Sequence, residues 1–166
     1  MFFCFFLFSF FGFCQTEEKS LLFRPLTTED GLSNNVIYDV LQTTDGYLWL
    51  ATDNGLNRYD GYSVKVYYHR TNDSSTITSS VIRSLIEDRE GNLWIGTKSG
   101  INLYNKKSQR FEKPIKLDDS NFQNQEVVNM RLDSSGNIWI NTLNDIGFFN
   151  PKTNESQVVY LSLIHI

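Results

Sequence analysis

Few side chains in this 166-residue sequence have the type and spacing to do chemistry. The acid–glycine pairs Asp45-Gly46, Asp60-Gly61 and Glu90-Gly91 are the first candidates. Asp88-Arg89-Glu90-Gly91-Asn92 has part of a calcium-loop pattern. It lacks the alternating acids and the distal Glu with which such a loop surrounds a hard cation with oxygens. Turn formation accounts for it better, and no metal is expected. His69 and His165 stand alone, with no second ligand at metal spacing. No Gly-x-Ser-x-Gly, Cys/His pair or phosphate-cradling glycine loop occurs. The paired acids Glu29-Asp30 and Asp118-Asp119 fall in expected loops, where a solvated face explains them. Neither a catalytic residue nor a cofactor is expected, so this segment reads as non-enzymatic. With 15 Lys+Arg against 19 Asp+Glu the net charge is -4, and no long basic run gives nucleic acid an electrostatic footing.

The elements that position these groups come from a repeat. Three segments align at an offset of 45 residues without a gap, starting at Val36, Val81 and Glu126. Gly46, Gly91 and Gly136 share one column. Trp49, Trp94 and Trp139 share another, as do Thr52, Thr97 and Thr142. Each unit reads as four short strands. In the first, Val36–Gln42 is β-rich, Thr43–Gly46 turns the chain and Tyr47–Thr52 is the second strand. Asp53-Asn54-Gly55 turns again, Leu56–Tyr59 is the third strand, and Asp60-Gly61 leads into Tyr62–His69. No window sustains a 3.6-residue period, so helix content should be near zero.

The second strands, such as Leu48-Trp49-Leu50-Ala51 and Leu93-Trp94-Ile95-Gly96, are almost continuously apolar. A half-exposed antiparallel strand would alternate; a strand covered on both faces reads this way. Four strands per repeat of about 45 residues is the signature of a β-propeller blade. The fold expected is therefore all-β, a partial β-propeller of about three four-stranded blades, with the tryptophans as the core between blades. Each buried Trp would contribute roughly 5 kcal/mol, from ~200 Å² at ~25 cal/mol/Å². Small residues at Ala51 and Gly96 would let the next sheet approach closely. Asn141 and Asp145 break the pattern, so the third blade is the least regular.

The first 14 residues are of a different composition. The run Phe2–Phe13 carries eight of the 13 Phe and no charge. It is too short to span a membrane and has the length of a signal-peptide core, with Gly12 and Cys14 placed for a cut before Gln15. Residues 1–14 thus read as a signal peptide for export. Residues 15–35 read as a closing strand, with Leu21–Leu26 as its candidate, and the loop after it. Residues 36–80, 81–125 and 126–160 are blades 1 to 3, the third incomplete. Residues 161–166 depart from the repeat and read as a non-native tail. Three blades would leave two sheet faces uncovered, about 600 Å² or ~15 kcal/mol of burial, as much as a whole domain's net stability. The expectation is an N-terminal piece of a longer protein.

Loops on a rigid scaffold carry function. In a propeller the connection into each innermost strand shares a rim with the loop between the second and third strands. Here that rim would gather Asn34, Asn35, Ser79, Ser80, Asn124 and Gln125 with Asp53, Asn54 and Lys98. Their amides, hydroxyls and ammonium suit sugar hydroxyls. Each could equally hydrogen-bond its own turn. An aromatic platform from Phe122 or Tyr68 is a further option, with a core role the stronger reading.

The motif Asp/Glu-Gly-x-Leu-Trp-Ile/Leu-Gly/Ala-Thr, followed by Gly-Leu/Ile-Asn-x-Tyr, resembles the two-component regulator propeller repeat. Phe23 to Val40 is similar to the opening of the exported sensor region in hybrid two-component systems of Bacteroidetes. The resemblance implies an extracytoplasmic sensor of two seven-bladed propellers and an immunoglobulin-like domain. A membrane helix, histidine kinase, receiver and DNA-binding domain would follow in the parent chain. It further implies recognition of polysaccharide-derived oligosaccharides, a periplasmic location, inner-membrane anchoring of the parent, a phosphorelay and a homodimeric parent. The motif residues matched (Gly46, Trp49, Thr52, Gly91, Trp94, Thr97, Gly136, Trp139, Thr142) are architectural. Two other readings stand beside this one: an extracytoplasmic propeller enzyme acting on polysaccharide, and a protein-interaction propeller.

Overall fold

The computed structural model describes residues 23–113, 122, 124–153 and 155–159. The leader, Leu21 and Leu22 of the closing-strand candidate, and the last six residues lie outside them. Three separate four-stranded antiparallel sheets follow one another along the chain. The first comprises β1 (Ile37–Gln42), β2 (Leu48–Thr52), β3 (Gly55–Tyr59) and β4 (Val64–Tyr67). The second comprises β5 (Ile82–Glu87), β6 (Leu93–Thr97), β7 (Gly100–Asn105) and β8 (Arg110–Glu112). The third comprises β9 (Val127–Leu132), β10 (Ile138–Thr142), β11 (Ile146–Phe149) and β12 (Ser156–Val159). Strands pair in chain order within each sheet, so every connection inside a sheet is a hairpin. The third unit, read from the sequence as incomplete, also carries four strands. Apart from strands, the regular structure among the described residues is one 3-10 turn, Thr28–Asp30, closed by a capping box between Thr27 and Asp30.

The closing-strand candidate has no strand in its described part. Phe23–Leu26 has no ladder partner among the described residues, and Phe23 is 88% exposed.

The sheets stack face to face, with their first strands nearest one another. β2 and β6 are buried along nearly their whole length, as strands covered on both faces must be. Trp49, Ala51 and Leu56 of the first sheet meet Leu85, Leu93 and Ile95 of the second. Trp94 and Ile101 of the second meet Val127, Met130, Ile138 and Ile140 of the third. Each tryptophan therefore faces the sheet that follows it, and Trp139, with none after it among the described residues, is only half-buried. Gly96 is required by this stacking: a Cβ there would lie 2.7 Å from Val127 Cγ1.

Polar bonds stitch the same interfaces. The backbone N–H of Leu85 donates to Asp39 Oδ2 at 2.8 Å, and that of Met130 donates to Ser84 Oγ at 3.0 Å. Positions 39 and 84 are one repeat apart, so one device serves both junctions.

The Thr column closes each second hairpin. Thr52, Thr97 and Thr142 donate through Oγ1 to the carbonyls of Gly55, Gly100 and Asp145, and each accepts a backbone N–H from within its own turn. Gly55 and Gly100 adopt φ of 124° and 106°, which disfavours a Cβ. At Asp145 the third unit departs: its strand starts one residue later, at Ile146.

Candidate functional site

The hairpins after β2, β6 and β10 and the connections into β1, β5 and β9 lie at one end of the stacked sheets. Gly55 donates its N–H to the Ser80 carbonyl at 2.6 Å, which ties the first sheet's hairpin to the loop entering the second. Lys98 N–H reaches the Val81 carbonyl at 3.0 Å, and Gln125 Nε2 reaches Asp145 Oδ2 at 3.0 Å. The rim residues expected from the sequence are thus on one rim.

They do not all face a ligand. Asn34 Oδ1 accepts from Val36 N–H, and Asn35 Oδ1 accepts from Thr28 N–H. Ser79 Oγ accepts from Val81 N–H, and Ser80 Oγ from His69 N–H. Gln125 spans Asp145 and the Thr142 hydroxyl. These five shape their own loops. The side chains of Asn54, Lys98 and Asn124 have no partner among the described residues.

Asp53 belongs to a cluster that sequence reasoning missed. Its Oδ1 accepts the Tyr38 hydroxyl at 3.3 Å and lies 3.7 Å from Arg83. Arg83 Nε donates to Glu126 Oε1 at 3.1 Å, and the guanidinium sits 4.3 Å from the Tyr38 ring centroid, a cation–π contact. Four residues from three sheets thus converge. Burial works against the Arg83 charge, but bonds with Tyr38 and Glu126 outweigh it and raise its pKa above the ordinary guanidinium value.

β-bulges present these side chains. The register of β1 on β2 skips Tyr38, and that of β5 on β6 skips Arg83. The corresponding skip on β9 falls at Val128. A bulge leaves one residue unpaired and re-aims its side chain. Positions 38, 83 and 128 hold Tyr, Arg and Val inside an otherwise regular repeat. That divergence was the available signal.

The opposite rim is structural. Asp88 accepts from the N–H groups of Glu90 and Asn92 and from the Asn92 amide, and takes the Trp94 indole N–H at 2.8 Å. Asp133 repeats the arrangement with Ser135, Asn137 and Trp139. The Trp139 and Asn137 bonds hold the Asp133 carboxyl down at about 2. The calcium-like Asp88 segment is therefore a turn clamped to a tryptophan. Glu87 ties the first two sheets there, accepting from Thr44 and Lys106. Among the described residues no group of His, Cys, Asp and Glu could hold a metal ion, and no helix is long and apolar enough to cross a membrane.

The model of the two component regulator propeller family matches residues 31–54 and 76–99, two windows 45 residues apart. Those two windows match the two component regulator propeller repeat. Both windows span the bulge, the turn and the Trp strand of one sheet. Histidine kinase P4 from Formosa agariphila is 36% identical over 73 residues, which are 43% of this chain and 5% of that protein. The extracellular domain of a hybrid two component system from B. thetaiotaomicron superposes with a TM-score of 0.71 at 28% identity, over 82% of this chain and 20% of that one. Virginiamycin B lyase from Staphylococcus aureus superposes with a TM-score of 0.56 at 16% identity, over 80% of this chain and 44% of that one, a likeness of fold alone. The chain spans one twentieth of the curated relative's length and one fifth of the first structure's.

Proposed function

We propose that this chain is a ligand-recognising propeller segment of a hybrid two-component sensor, and that its polar rim binds polysaccharide-derived oligosaccharides. The reading is carried by the convergence of Tyr38, Asp53, Arg83 and Glu126 from three sheets on a rim that also presents Asn54, Lys98 and Asn124. Carboxylates, a guanidinium and amides offer donors and acceptors at once, which a sugar's paired hydroxyls need, and the Tyr38 ring offers an apolar face. Occupancy would be relayed to a histidine kinase elsewhere in an anchored, homodimeric parent, with this segment exported to the periplasm and itself non-catalytic.

The test is calorimetric titration of the chain against a panel of oligosaccharides. Saturable binding that weakens at least about tenfold in Arg83→Ala, with the fold retained by circular dichroism, supports the reading. Release of shorter sugars during incubation would replace it with the enzyme reading. No saturable sugar binding, together with capture of a stable protein complex, would replace it with the interaction reading.

A further inference from the structure

The Tyr38–Arg83 cluster fixes the charge that a ligand on this rim would meet. Arg83 Nε donates to Glu126 Oε1 at 3.1 Å, and Arg83 Nη1 lies 3.7 Å from Asp53 Oδ1. One end of the guanidinium is thus bonded to a carboxylate while the other faces a second. The Tyr38 ring lies over its plane, 4.3 Å from centroid to Cζ. A guanidinium is strongest for an incoming oxyanion when two parallel N–H groups along one edge are open to it. Arg83 already serves two acids.

The neutral donors nearby do not cancel those acids. Tyr38 gives Asp53 a hydroxyl hydrogen at 3.3 Å and no charge. Asp145 takes its bond from the Gln125 amide, which is likewise neutral. Lys98 supplies a second cation. Among these rim groups, three carboxylates stand against two cations, and the whole chain carries a net charge of -4.

The repeat does not demand this arrangement. Glu126 stands where Val36 and Val81 stand in the other units, and Asp145 where Gly55 and Gly100 stand. Asp53 is matched by Lys98 and Leu143. Valine and glycine serve the propeller geometry at the first two positions, and the third unit places carboxylates there instead.

We infer that this rim takes uncharged oligosaccharides and disfavours those carrying uronate or sulfate groups, with Asp53 and Glu126 setting the discrimination. The inference rests on the rim reading proposed above and adds its selectivity. Like charges brought together across an interface cost enough to suppress a wrong partner. Sugar hydroxyls, by contrast, can donate to the same carboxylates, and the Asp53 side chain is half-exposed and open to them.

The chain is titrated calorimetrically with three matched pairs of trisaccharides: β-1,4-mannotriose, cellotriose and α-1,4-galactotriose, each against its form oxidised to uronate at C6. In at least one pair the neutral member should bind, and about tenfold or more tighter than the acid. Raising NaCl from about 0.05 to about 0.5 M should narrow that ratio, because salt screens repulsion between exposed charges. Asp53→Asn and, separately, Glu126→Gln should narrow it at low salt, while Glu155→Gln in the β11–β12 hairpin leaves it unchanged. The salt series needs no variant, so it decides even where a variant fails to fold. An acid binding as tightly as its neutral partner, or a ratio unmoved by salt and by both carboxylate variants, would overturn the inference and leave the rim reading standing. If no trisaccharide binds, the rim reading fails and this inference with it.

Discussion

Trp49, Trp94 and Trp139 occupy one column of the repeat without sharing one chemistry. The indoles of Trp94 and Trp139 donate to Asp88 and Asp133. The equivalent residue before Trp49 is Thr43, whose hydroxyl donates instead to Asp45 Oδ1. Trp49 Nε1 is left buried without a partner among the described residues. A buried, unsatisfied donor costs about 1–3 kcal/mol, whereas a bond to a carboxylate stabilises by a similar amount. Replacing the indole by a phenyl ring removes a liability at position 49 and a bond at position 94. Trp94→Phe should therefore lower the unfolding free energy by about 1–3 kcal/mol more than Trp49→Phe in urea melts. Equal losses, or a larger one at Trp49, would mean that the Asp88 bond contributes nothing net. Phe122 makes a related trade. It fills the core position held by Leu32 and Ile77 in the other units, and Gly147 stands where they carry the buried Asn57 and Asn102. A Cβ on Gly147 would lie 2.5 Å from Phe122 Cζ. The larger ring is accommodated by deleting a side chain, which also settles Phe122 as core and not as a sugar platform.

The strand stack depends on how closely one sheet can approach the next. Gly96 sits in the middle of β6 against Val127, and the interface leaves no room for a methyl group. Gly96→Ala should destabilise by about 1–3 kcal/mol through overpacking, and adding Val127→Ala should recover part of that loss. A double variant no more stable than Gly96→Ala in urea melts would locate the strain in the backbone of β6 itself. This close approach was legible beforehand, because a small residue beside an invariant Trp in an apolar strand has few other uses. Strand number and turn positions were legible too, from Gly46, Gly91 and Gly136 at a fixed offset. Strand ends were less so. The run Tyr62–His69 yields a strand only at Val64–Tyr67, since Tyr62 and Ser63 bond to Asp60 in the hairpin and His69 bonds to Ser80 and Ile77. The bulges at Tyr38 and Arg83 were marked only by the divergence of positions 38, 83 and 128 between units, because a register skip is set by the partner strand and not by the bulged residue's own propensity. The candidate site was therefore readable as a set of loops, while its charged centre lay on strands that looked regular.

Across the whole molecule, burial of the tryptophan column follows sheet order. Trp49 and Trp94 are 1% and 4% exposed, each pressed on the following sheet, and their rings meet Tyr104 and Phe149 within it or beside it. Trp139 belongs to neither core cluster and packs on Phe148 of its own sheet, 5.4 Å between centroids. The hydrophobic term scales with the apolar area removed from water, and a cavity term is added only where surrounding side chains cannot collapse. Trp49→Ala and Trp94→Ala should each cost about 3–5 kcal/mol in this chain. Trp139→Ala leaves no enclosed cavity and should cost no more than about 2 kcal/mol. Urea midpoints of the three variants, measured at two protein concentrations, check the gradient. Three equal losses would mean that the third sheet's outer face is covered in solution. Growth of the Trp139→Ala loss with concentration would identify the cover as a second copy of the chain.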